Sequence, residues 1–142
     1  MIELKVIQND LVYLIKLEIL DLGSTIEIIL SNMNHNFFIE NDIIVKGEYP
    51  FFVLMELREI LEKNKIFILC NGSRFDVFPS NMSKIGFKAY INKIGKSSME
   101  KDLVNIFDEC EDMQYISTVQ RQKDYNMEWM NFFRQKNDRD FK

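Results

Sequence analysis

Few residues in this chain are equipped for covalent or acid-base chemistry. The single histidine, His35, stands in Asn34-His35-Asn36, and Cys70 and Cys110 are the two thiols. A Ser-His-Asp or Cys-His nucleophile would have to recruit His35 as its base. No local motif marks a catalytic imidazole there, and a solvated or capping histidine is the expected role. Cys70 ends an apolar run and is expected in the core, where free cysteine behaves as a small hydrophobe. Cys110 lies inside Asp108-Glu109-Cys110-Glu111-Asp112, whose carboxylates oppose thiolate formation and hence nucleophilic use. Arg74 and Asp76 are the best-placed charged pair. They can line a pocket, with His35, for a phosphate or other small molecule, or they can pair with each other and brace the local structure, which is the preferred reading. The sequence contains no Walker A run, Rossmann glycine fingerprint, HExxH or CxxC, and Gly72, Gly86 and Gly95 stand alone; none of these forms a phosphate cradle or a metal set. The sequence therefore predicts a non-enzymatic protein with no catalytic residues, no metal and no cofactor.

The elements that must position these groups read as α+β: an antiparallel sheet with an N-terminal meander, a central β-hairpin and two main packing helices. Ile2 to Gln8, Leu11 to Leu20 and Ser24 to Leu30 are strand-like runs separated by Asn9-Asp10 and Asp21-Leu22-Gly23, good turn chemistry. In the second run Leu11, Tyr13, Ile15, Leu17 and Ile19 share one parity and Lys16 and Glu18 the other, as when one sheet face is buried. Phe37 to Val45 is a weaker candidate strand. From Pro50 to Lys63 the period becomes helical, with Val53, Leu54, Leu57, Ile60 and Leu61 inward and Glu56, Arg58, Glu59 and Glu62 expected toward solvent. A second helix is predicted from Thr118 to about Gln135, capped by Ser117 or Thr118. Its stripe of Tyr125, Trp129, Phe132 and Phe133, with Met130 alongside, is expected to pack on the sheet. Residues 136–142 are expected to fray.

Between the helices, Ile66-Phe67-Ile68-Leu69-Cys70 leads through Asn71-Gly72 into Ser73-Arg74-Phe75-Asp76-Val77-Phe78. Asn-Gly between apolar runs is a strong signal for a type I′ hairpin, whose central residues need positive φ. The register would then set Cys70 opposite Ser73, Leu69 opposite Arg74, Ile68 opposite Phe75 and Ile66 opposite Val77. Arg74 and Asp76 would share the face of Phe67 and Leu69. A further strand is predicted over Lys88 to Ile94.

At 142 residues the chain suits one domain spanning 1–142, long enough to bury a core without disulfides. Its 46% hydrophobic and 28% charged content is ordinary for a folded domain. A net charge of −4 argues against a nucleic-acid binder, which needs concentrated basic surface, and favours a basic protein partner. No run approaches the roughly 20 apolar residues of a membrane span. The start, Met1-Ile2-Glu3-Leu4-Lys5, lacks the pattern of a secretory signal, so a cytoplasmic location is expected. Twelve Phe residues leave aromatic surface to spare for a protein partner or for homo-oligomer contacts.

Cys70-Asn71-Gly72-Ser73-Arg74, Asp76-Val77, Pro79-Ser80, Lys88-Ala89-Tyr90, Leu103-Val104-Asn105-Ile106-Phe107-Asp108 and Ser117-Thr118-Val119-Gln120 occur in an order and spacing that resemble a family of small bacterial proteins. Some of its members look like immunity proteins encoded beside polymorphic or contact-dependent growth inhibition toxins. The resemblance covers roughly the C-terminal two thirds and carries no catalytic residues. Asn81 stands where the family pattern often has Gly, which Asn can replace in left-handed geometry. The resemblance implies a toxin inhibitor of toxin-antitoxin type that binds its cognate toxin in the cytoplasm. For a basic toxin, Asp108, Glu109, Glu111 and Asp112 are the expected contacts, since a carboxylate cluster steers such a partner and occupies its phosphate-binding surface.

Overall fold

In the computed structural model of the chain, residues 1–31, 41–110 and 112–140 are described, 135–140 as backbone alone. β1 (Ile2–Gln8) and β2 (Leu11–Asp21) are joined by Asn9 and Asp10, both at positive φ (52° and 64°). This is the type I′ geometry whose twist suits a two-residue hairpin. Asp21 Oδ1 accepts from Gly23 N–H at 3.0 Å, and Gly23, at φ 88°, turns the chain into β3 (Ile26–Leu30). The expected meander is therefore present, and β4 (Ile43–Gly47) extends it. The predicted strand at 37–45 overlaps β4, but its first part lies outside the described residues.

Alternation puts Ile15 and Leu17 of β2 in the core while Lys16 and Glu18 face outward. Leu11, of the same parity, lies beyond the covered part of the sheet and is exposed. α1 (Pro50–Glu62) lies against this inner face. Pro50 occupies its first turn, where no amide hydrogen is needed. Leu54, Leu57 and Leu61 are fully buried, each contributing about 1.5–3 kcal/mol of transfer free energy.

α1 ends with Lys65 at φ 59°, Ile66 N–H returning to Leu61 C=O at 3.1 Å and Lys65 N–H to Glu62 C=O at 2.9 Å, a Schellman closure. β5 (Phe67–Ile68) then joins the far edge of the meander through Val6↔Ile68 and Ile7↔Phe67, giving the order β4-β3-β2-β1-β5. A second antiparallel sheet has the order β6 (Val77–Phe78), β7 (Lys88–Ile91), β8 (Leu103–Asn105). The chain closes with α2 (Val119–Asp140). Thr118 Oγ1 accepts from Arg121 N–H at 3.1 Å and is the N-cap. The helix backbone continues past Gln135, where the sequence reading ended it, to Asp140.

Two expectations need correction. The central hairpin does not turn at Asn71-Gly72. Asn71–Ser73 is a 3₁₀ turn without positive φ, and its flanking segments bond to other parts of the chain rather than to each other. Arg58, assigned to the solvent face of α1 by residue type, is only 3% exposed.

Candidate functional site

The segment from β5 to β6 changes partners every few residues. After leaving β1, Leu69 C=O accepts from Cys110 N–H at 3.1 Å and Cys70 bridges Glu109. Asn71 N–H donates to Asp108 C=O and Gly72 N–H to Ile106 C=O, both at 2.9 Å. Next, Ser73 C=O accepts from Ser117 N–H at 3.1 Å, Arg74 bridges Ile116, and Phe75 N–H donates to Tyr115 C=O at 2.9 Å. Val77 and Phe78 finally pair with Ile91 and Tyr90. Long-range pairing thus satisfies backbone groups that a hairpin would have satisfied locally. Gly72 is required by close approach. A Cβ there would lie 2.5 Å from Leu54 Cδ2 and 3.2 Å from Ile106 O.

Gly72 also receives the side chains that sequence reasoning missed. Arg58 Nη1 donates to Gly72 C=O at 2.8 Å and to Gln122 Oε1 at 2.6 Å, and Nη2 donates to Ser117 C=O at 3.1 Å. Gln122, fully buried on the first turn of α2, places its Nε2 within 3.0 Å of the carbonyls of Gly72, Arg74 and Val77. Glu62 Oε1 accepts from Val119 N–H at 2.9 Å, filling an open donor at the start of α2, and lies 3.9 Å from Arg58 Nη2. Burial lowers the Arg58 pKa and raises that of Glu62. The guanidinium remains protonated because arginine starts so far above neutrality. A signal for Arg58 was present: it stands four residues after Leu54 and three before Leu61, on the buried stripe, but its charge outweighed its spacing.

Arg74 and Asp76 form a bidentate ion pair, Nε to Oδ1 at 2.8 Å and Nη2 to Oδ2 at 2.7 Å. The guanidinium carbon lies 4.1 Å from the Tyr115 ring centroid, and the bond to Asp76 is the main cause that raises the Arg74 pKa. Both donors of the fork face the carboxylate, leaving this pair bracing the chain. His35 and Glu111 lie outside the described residues. Asp108 and Glu109 are exposed beside the Leu69-Cys70 segment, and Glu109 reaches Lys5 at 2.8 Å. Asp112 caps the next 3₁₀ turn, accepting from Gln114 N–H at 3.4 Å and Gln114 Nε2 at 2.9 Å.

Cys70 is completely buried, which raises its thiol pKa. Cys110 is also buried, despite its acidic neighbours in sequence. Among the described residues no group of three or more His, Cys, Asp or Glu is placed to hold a metal ion, and no helix is long and apolar enough to cross a membrane.

A groove of about 750 Å³ opens elsewhere. Phe52 from α1, Phe78 and Tyr90 from the second sheet, and Trp129, Met130 and Phe133 from α2 form its apolar walls. Asn92, Ser98 and Asn126 add polar groups, and neither Arg74 nor Asp76 lines it. The aromatic stripe of α2 is therefore divided. Tyr125 donates to Asn92 C=O at 2.8 Å and Trp129 Nε1 to Lys96 C=O at 3.0 Å, while Met130 and Phe132 remain about two-fifths exposed. No protein-family model and no curated protein matches the chain.

Proposed function

We propose that the protein works by binding, as an immunity protein that occupies and neutralises a cognate bacterial toxin in the cytoplasm without catalysing a reaction. The observation that carries this reading is the use made of the distinctive 70–76 segment. Its polar groups are consumed within the fold, in the Arg58-Gln122-Gly72 cluster and the Arg74-Asp76 pair. Such a segment specifies a scaffold, and partner recognition falls to the surface around it. The resemblance of residues 70–120 to immunity-type proteins agrees with that division.

On this reading Asp108, Glu109, Glu111 and Asp112 meet a basic toxin surface and act chiefly on the rate of encounter. The test is co-expression with the product of an adjacent toxin gene. Growth rescue and co-purification are the expected results; undiminished toxin activity beside folded protein would end the proposal.

A further inference from the structure

We infer that the aromatic groove between α2 and the second sheet is a binding site for an uncharged apolar group carrying an amide-type carbonyl, the chemistry of a capped apolar amino acid, with the Asn92 side-chain amide as the donor that recognises it. Asn92 follows β7, lines the groove and is only 4% exposed. Its backbone is fully engaged: its N–H donates to Asp76 C=O at 2.7 Å and its C=O accepts from Tyr125 Oη at 2.8 Å. Its Oδ1 accepts from Ser98 Oγ. With Oδ1 turned to the Ser98 hydroxyl, Nδ2 has no acceptor among the described residues. A buried amide donor without a partner is unfavourable by itself, and such groups concentrate where a ligand completes them.

The surroundings state what that ligand is. Phe52, Phe78, Tyr90, Trp129 and Phe133 offer ring faces and edges for an apolar body. Lys84 is the single charged residue on the wall, and its ammonium already sits 4.5 Å from the Tyr49 ring centroid. No acidic residue lines the groove, so a cationic occupant would find no counter-charge, whereas a neutral group needs none. An acceptor is demanded at Asn92 and an apolar body along the aromatic walls, the usual division in a ligand pocket.

Trp129, the only tryptophan, stands on the wall and reports occupancy by fluorescence. The probe is N-acetyl-2-phenylethylamine, compared with 2-phenylethyl ethyl ether, which keeps the ring and approximate length but lacks the carbonyl and amide. We expect a saturable change in Trp129 emission with the amide and binding about tenfold weaker for the ether, the worth of one buried hydrogen bond. Asn92→Asp, which keeps the acceptor for Ser98 and replaces the free donor, should remove the preference. Met130→Glu, at a 43% exposed wall position, should abolish binding of both probes while leaving the fold intact. Equal affinity of amide and ether for the wild-type protein, or no saturable response up to the amide's solubility limit, overturns the inference even if Asn92→Asp does not fold.

Discussion

Arg58 Nη1 and Gln122 Oε1 lie 2.6 Å apart across 64 residues of sequence, and both side chains bond the carbonyl of Gly72. Two helices and a tight turn therefore meet at one buried polar point. Removing either partner takes a hydrogen bond from a buried polar atom of the other.

Arg58→Ala is expected to destabilise the protein by about 3–5 kcal/mol, because the Gly72 and Ser117 carbonyls and Gln122 Oε1 all lose a donor. Gln122→Ala should be costly for the same reason. The double variant should be less destabilised than the sum of the two, since the residues belong to one network. Urea unfolding of the four proteins supplies the cycle; strict additivity would show that the two act independently.

Gly72→Ala should destabilise by about 1–3 kcal/mol through overpacking against Leu54. Leu54→Ala alone opens a cavity, at about 2–5 kcal/mol. Combining them should recover part of the loss, because the new methyl group enters the space that the Leu54 side chain leaves. If the combined variant is no better than the sum, close approach is not what Gly72 provides.

The Glu62 carboxyl is held above the ordinary glutamate range, chiefly by burial, while the Val119 N–H and Arg58 pull the other way. The folded state therefore binds this proton more tightly than the unfolded chain. Between the ordinary pKa and the raised one, the Glu62 contribution to stability falls as pH rises. Glu62→Gln keeps an oxygen for Val119 N–H and removes the titration. Relative to Glu62→Gln, the wild-type protein should lose stability as pH climbs through that window and then level off. Urea midpoints from acid to neutral pH measure this, and a pH-independent difference would contradict it.

Charge reversal at Asp108, Glu109 and Asp112 should slow association with a basic toxin several-fold at low salt, with the effect shrinking as salt rises. Folding stability should change by about 1 kcal/mol or less, since the Lys5-Glu109 pair is roughly two-fifths exposed on both sides. Stopped-flow association rates and thermal melts separate the two effects. Unchanged association would remove these carboxylates from the interface.

Much of the fold is legible one element at a time. The β1-β2 turn at Asn9-Asp10, the inward parity of Ile15 and Leu17, the start of α1 at Pro50 and the Thr118 cap all appear where the sequence places them. The bracing role preferred for Arg74 and Asp76 was also legible, because two residues of spacing put guanidinium and carboxylate within reach in any extended conformation. The groove was not. Its walls come from α1, the second sheet and α2, and no single stretch carries more than part of it.

The sequence by itself determined the features that depend on neighbours within a turn or two: strand alternation, helix phase, caps and the ion pair. Tertiary structure decided the rest of the 66–78 segment. Asn71-Gly72 is locally compatible with a hairpin, but Gly72 N–H is taken by Ile106 C=O, and Gly72 C=O by Arg58 and Gln122. Those partners stand just after β8, on α1 and on α2, so their reach is invisible to any local pattern. The same distance effect turned Arg58 from a surface charge into the centre of the core's polar cluster. Its stem follows the apolar stripe of α1, and its head finds acceptors that exist only after the second half of the chain has folded against it.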